Sequence, residues 1–172
     1  MPPSPPTASE WPLYFSATAS INAPREKVWD TLLDFSSYHS WNPHIRSASP
    51  LDSNKKPLAP SVPLSEGHYL FLKTHIPASM DDSIKTTDMT EHIKYVDREM
   101  FMLAWGSEGS GVMFGAEQWH MLTEEDGQTK YEVVAVMKGL VAHGVKRVMK
   151  QTARDLESSI QDMATSLQRV CE

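Results

Sequence analysis

The sequence predicts an α+β fold in which a curved antiparallel sheet wraps one long C-terminal helix, with two short helices after the first strand. Three observations carry this. Between residues 66 and 138, apolar and polar side chains alternate in successive runs separated by short polar turns, as in an antiparallel meander. After Gly139 the apolar spacing changes to three and four, the period of a helix. A helix of about seven turns with one apolar face needs a broad partner, and the strands supply it.

Residues 1–12 are rich in Pro and Ser and read as a disordered or extended tail, which leaves 13–172 for a single domain. Tyr14 to Asn22 alternates, with Phe15, Ala17, Ala19 and Ile21 on one face of a half-buried strand. Pro24 suits the first turn of a helix, where its missing N–H would be unsatisfied anyway. Residues 25–34 then set Val28, Trp29, Leu32 and Leu33 at core spacing. Phe35 to Tyr38 continues as a second short helix, and Trp41-Asn42-Pro43 ends it, because a residue before proline avoids the helical conformation. Asn42 is expected to hold the next loop by a side-chain bond to the backbone. His44 to Ser49 reads as a brief strand. The stretch 50–64, with Pro50, Pro57, Pro60 and Pro63, is a long loop, either a lid over a pocket or an ordinary mobile insertion.

Five strands follow. Glu66 to Ile76 alternates around His68, Leu70, Leu72 and Thr74, and Ile84 to Val96 around Met89, Glu91, Ile93 and Tyr95. Phe101, Leu103 and Trp105 mark the third. Met113 to Thr123 sets Glu117, Trp119 and Met121 on one face, and Lys130 to Lys138 does the same with Tyr131, Val133, Ala135 and Met137. Asp126-Gly127 between the last two is a strong hairpin signal. The helical stripe runs through Val141, Val145, Val148, Thr152, Leu156, Ile160, Met163, Leu167 and Val170. Thr152 in that seam argues against a coiled-coil dimer.

The net charge of −6 disfavours nucleic acid as a partner, since no Lys/Arg cluster stands out beyond Lys146, Arg147 and Lys150. That trio reads as the solvated face of a helix. Cys171 is the one cysteine, so no intramolecular disulfide can form; it reads as an exposed tail thiol. The N-terminus lacks the charged and apolar regions of a secretory leader, and no run reaches the length of a membrane span. A cytoplasmic protein without stable membrane insertion is expected, as monomer or homodimer. Ten methionines and five tryptophans suit an adaptable hydrophobic pocket as well as a core.

Ile21-Asn22-Ala23-Pro24-Arg25-Glu26-Lys27-Val28-Trp29 resembles the opening of the START/Bet v 1-like superfamily. Asp34 to Pro43, ending in Trp41-Asn42-Pro43, is similar to its next segment. Leu103-Ala104-Trp105, the Asp126-Gly127-Gln128-Thr129 turn and Met137-Lys138-Gly139-Leu140 resemble the polyketide cyclase/dehydratase-like branch. The resemblance covers roughly residues 14–168. It implies the helix-grip fold, with a cavity between sheet and long helix for a hydrophobic small molecule. It implies a ligand class rather than a function, because members include lipid and hormone carriers as well as aromatase/cyclases. Many relatives carry a histidine on the penultimate strand where this chain has Glu117.

Side chains in phase with the large apolar residues are expected to face the cavity. The polar ones are His68, Glu91 and Glu117, with Tyr131 as a phenol donor. A desolvated carboxylate such as Glu117 acquires a raised pKa suited to acid–base work, and imidazole titrates near neutrality without help. These four are the candidate catalytic residues for a proton transfer on a carbonyl-bearing metabolite, by cyclisation, dehydration or isomerisation. Trp41, Leu70, Leu72, Met89, Trp105, Trp119 and Met137 are the candidate ligand-binding wall. The alternative is a non-catalytic carrier of a lipid or apolar metabolite. No His-Glu-x-x-His, Gly-x-Ser-x-Gly or dinucleotide motif is present, and Gly106 to Gly111 lacks the ending of a phosphate loop, so no metal or cofactor is expected.

Overall fold

A computed structural model describes residues 3–108 and 112–172. Strands β1 (Leu13–Ile21), β2 (Ile45–Leu51), β3 (Tyr69–Thr74), β4 (Thr87–Asp97), β5 (Met102–Gly106), β6 (Gly115–Glu125) and β7 (Gln128–Lys138) form one antiparallel sheet in the order β1-β7-β6-β5-β4-β3-β2. Helices α1 (Arg25–Leu33) and α2 (Tyr38–Trp41), joined by a single 3-10 turn at Phe35–Ser37, separate β1 from β2. Helices α3 (Leu140–Arg147) and α4 (Lys150–Cys171) follow the sheet. This is the helix-grip α+β fold expected.

Each element answers to its sequence. β1 alternates buried and exposed residues along its length, with Ile21 fully buried where α1 begins. Pro24 stands one step before its expected place, as the residue preceding the first helical one. Asn42 does what its position predicts: its side-chain oxygen accepts the N–H groups of His44 at 3.0 Å and Ile45 at 2.8 Å. Asp126 and Gly127 both have positive φ, so the β6–β7 hairpin uses the turn expected of that dipeptide. At the end of β5 a Cβ on Gly106 would collide with the Ala116 carbonyl, and only glycine lets the two strands meet there.

Four expectations need correction. The C-terminal helix is broken at Val148 and Met149, and Val141, Val148 and Val170 of its stripe are exposed. The buried face is carried by Val145, Ile160, Met163, Ala164 and Leu167. Cys171 is buried, closing the core end of α4 rather than hanging free. The tail packs in part: residues 7–10 form a turn, and Trp11 joins an apolar cluster on the outer face of the sheet. Pro50 and Leu51 extend β2, so the long loop starts later than expected. Of the glycine-rich connection, Gly109, Ser110 and Gly111 lie outside the described residues.

The sheet is apolar on both faces. The inner face and α4 enclose the main core, which contains Leu72, Ile93, Leu103, Trp105, Leu122, Tyr131 and Val133. The outer face carries a second cluster of Ala104, Trp119, Val134 and Val136, flanked by Trp11, Tyr14, Tyr95, Met102 and Met121.

Candidate functional site

Between the inner face and α4 the core is left unfilled, in a cavity of about 130 Å³. Its apolar wall includes Phe15, Leu72, Met89, Trp105, Met137 and Ile160. The polar side chains bordering it come from four elements: His44 before β2, Thr74 on β3, Glu91 on β4 and Gln118 on β6. An engineered protein cavity of about 150 Å³ holds one benzene, so this conformation has room for roughly one ring. Phe114, 40% exposed, stands at the cavity's edge. Phe114→Ala is expected to speed the uptake of a hydrophobic fluorophore such as anilinonaphthalene sulfonate severalfold in stopped flow. An unchanged rate would place the entrance elsewhere.

Glu91 is a buried carboxyl on this wall. It is only 6% exposed. Burial pushes its pKa from 4.5 to about 7, against a weaker pull downward from the charge of Lys94. Its Oε2 has no hydrogen-bond partner among the described residues. His44 is buried beside the same space. Its Nδ1 lies 3.1 Å from the His75 carbonyl, an arrangement that places the proton on Nδ1 and leaves Nε2 as acceptor. Burial lowers its pKa, with the bond to His75 and the charge of Asp162 working the other way. Gln118 reaches across to α4, where among the described residues its amide meets only the Met163 sulfur at 3.5 Å, a weak acceptor.

Behind this wall sits a second polar pair. His120 Nδ1 and the Tyr131 hydroxyl are 2.7 Å apart, and the imidazole lies against Trp105 with ring centroids 4.3 Å apart. Both residues are fully buried. Burial drives the His120 pKa down to about 3, with the charge of His44 acting in the same direction, and drives the Tyr131 pKa well up. His120 is therefore neutral, and its Nε2 is unpartnered among the described residues.

The expected residues divide sharply. Glu91, Leu72, Met89, Trp105 and Met137 border the cavity. Leu70 and Trp41 are buried in the core beyond it. Tyr131 points inward as expected but is spent on His120. His68 falls outside β3 and contacts Ser65 in the preceding loop. Glu117 and Trp119 are the larger correction. Both point to the outer face, where the Glu117 carboxylate binds Lys94 Nζ at 2.7 Å and accepts from the Trp119 indole N–H at 3.1 Å. Glu117 nonetheless lines the cavity at its edge, as does Val136 of the same outer face.

The cause is the two-faced sheet. In β6 the outward row carries Trp119 and Met121, while the inward row carries Ala116, Gln118, His120 and Leu122. The more apolar row is the wrong guide. On β4 a bulge at Lys94 likewise turns Tyr95 outward. The two-faced sheet masks His120 and Gln118, and His44, expected to open a strand, lies one residue before β2, where alternation does not set its direction. Among the described residues none of 50–64 lines the cavity, and Leu58 to Leu64 lie instead near Leu33 and Phe35.

Among the described residues no cluster of three or more His, Cys, Asp or Glu is placed to hold a metal ion, and no helix is long and apolar enough to cross a membrane.

Solved structures share this architecture at low identity. A hypothetical protein from Helicobacter pylori superposes with a TM-score of 0.69 at 10% identity, covering 100% of this chain and 98% of that one. Ara h 8.0201 superposes at 0.62 with 14% identity, covering 92% and 96%. A START superfamily protein from Mycobacterium smegmatis superposes at 0.53 with 17% identity, covering 90% and 98%. At such identities the likeness is one of fold. No curated protein matches the sequence. The family model described as polyketide cyclase / dehydrase and lipid transport matches residues 13–172, the whole of the sheet and all four helices. A helix gripped by a curved sheet, an apolar cavity between them and a family match over that entire span lead to one assignment: the chain belongs to the polyketide cyclase / dehydrase and lipid transport family.

Proposed function

We propose that the protein binds a hydrophobic small molecule in this cavity and that Glu91 moves a proton on a bound carbonyl compound, in a cyclisation, dehydration or isomerisation. The buried Glu91 carboxyl carries the reading. An acid that titrates at about 7 populates both forms near neutrality, the condition for efficient general acid–base work. As carboxylate it takes a proton from the carbon next to a carbonyl, and as acid it returns that proton to oxygen or carbon. The Gln118 amide, held only by a thioether sulfur, is available to donate to the carbonyl oxygen as charge builds there. His44 Nε2 offers a neutral acceptor beside the same space.

The non-catalytic carrier is the second reading. The mostly apolar wall and the lipid-transport part of the family description favour it.

Native mass spectrometry of the purified protein, with solvent extraction of what is bound, supplies the compound for the decisive assay. Glu91→Gln is expected to keep affinity for that compound within a few-fold and to abolish turnover, while Glu117→Gln retains turnover. Turnover undiminished in Glu91→Gln removes the carboxyl from the mechanism. A bound mixture of fatty acids or phospholipids that the protein leaves unchanged favours the carrier.

A further inference from the structure

Exposed apolar side chains adjoin the one cavity edge that carries Phe114. Val112 and Met113 project before β6, at 67% and 62% exposure, next to Phe114. Backbone bonds tie them to α3: Leu140 N–H donates to Val112 O at 3.2 Å, and Val141 N–H to Met113 O at 3.1 Å. Leu140 is itself 64% exposed, and Val148 at the far end of α3 is 82% exposed, beside Met149. At helical spacing Leu140, Val141, Gly144 and Val148 sweep one flank of α3, adjoining the flank of Ala142 and Val145 that is buried. Single exposed apolar residues are ordinary, but a grouping of large aliphatics on adjoining segments at a cavity mouth marks an interaction surface.

The charges beside it point to its partner. Between Glu132 and Asp155 the chain has no acidic residue, although its net charge is −6. Lys146, Arg147, Lys150 and Arg154 fall in that window, all are exposed, and none forms an ion pair among the described residues. At helical spacing Arg147 adjoins the exposed apolar flank of α3, Lys146 lies on the far side of the helix, and Lys150 opens α4 just past the break beyond Val148. Aliphatic side chains flanked by Lys and Arg are the pattern of a helix lying in the headgroup plane of an anionic membrane. Protein interfaces concentrate aromatic anchors, of which Phe114 is the one member here.

We infer that α3 and the segment before β6 dock the cavity mouth reversibly on an anionic lipid surface, with Leu140, Val148 and Met113 entering the acyl boundary. The inference concerns how an apolar ligand reaches the cavity, and it stands whether or not Glu91 transfers protons. Vesicle binding is read without any cavity ligand, so the two fail separately.

Flotation of the full chain with phosphatidylcholine vesicles, with and without phosphatidylserine, tests it. Binding is expected only with phosphatidylserine and is expected to weaken as salt is raised. Lys146→Gln/Arg147→Gln/Lys150→Gln is expected to weaken it roughly a hundredfold, at about fivefold per charge. Leu140→Ser/Val148→Ser is expected to abolish it with an unchanged unfolding midpoint, since both side chains are exposed. Absence of binding to the anionic vesicles overturns the proposal, as does equal binding to neutral ones or undiminished binding by the charge variant. Concentration-dependent dimerisation that Leu140→Ser/Val148→Ser removes would assign the surface to a second copy instead.

Discussion

Glu91→Gln is expected to stabilise the protein by about 3 kcal/mol near pH 8 and to leave it nearly unchanged near pH 4. The folded protein holds the carboxyl proton until about pH 7, whereas the ordinary value is 4.5. Between those values the unfolded chain has released the proton and the folded chain has not. The folded state then binds more protons, so its stability falls as pH rises and the full penalty is present above about 7. Glutamine is neutral throughout and carries no such penalty. For a chain of this length the difference corresponds to a rise of roughly ten degrees in the unfolding midpoint. Denaturant titrations of both proteins at the two pH values measure it. A shift of equal size at both, or a destabilised variant at the higher pH, would show that Glu91 is not a buried carboxylate under strain. A group that costs stability at neutral pH while facing a cavity is what a site retained for function looks like.

The opposite dependence is expected from His120. Its folded pKa is about 3 against an ordinary 6.5, so stability is lost as pH falls below 6.5, where the unfolded chain gains a proton that the folded chain refuses. The loss is on the order of 5 kcal/mol by about pH 3, to which the buried His44 adds in the same direction. His120→Phe removes the titrating group but strips the Tyr131 hydroxyl of its 2.7 Å partner, at a cost of about 1–3 kcal/mol near neutrality. His120→Phe/Tyr131→Phe removes both polar partners and is expected to recover most of that cost. Both variants should unfold less readily in acid than the parent, relative to their own neutral values. Equal destabilisation of the single and double variants would mean that the two residues are not coupled.

Glu91 and Glu117 illustrate how far the candidate site was legible. Both are carboxylates in alternating strands, and both share a row with large apolar residues. On β4 the row through Met89, Glu91 and Ile93 is the inner one, because β4 has no comparable apolar row facing out over that stretch. On β6 the row through Glu117, Trp119 and Met121 is the outer one, because Trp11, Tyr14 and Tyr95 gather there from distant positions in the chain. Alternation gives the period of a strand and not the sign of its faces. The sign depends on what packs on each side.

The class of fold, the order of its elements and the hairpin at Asp126-Gly127 are readable from the amino-acid order alone. These follow from local rules: side-chain period, the backbone limits of Pro and Gly, and the need of an apolar face for a partner. Which row of β6 faces inward, where the terminal helix breaks, that Cys171 is buried, and that the charge of His44 bears on His120 emerge only once the chain is folded. Each of those depends on contacts between residues far apart in the chain. Burial by such contacts, rather than residue type, is what separates a carboxyl titrating at about 7 from an ordinary one.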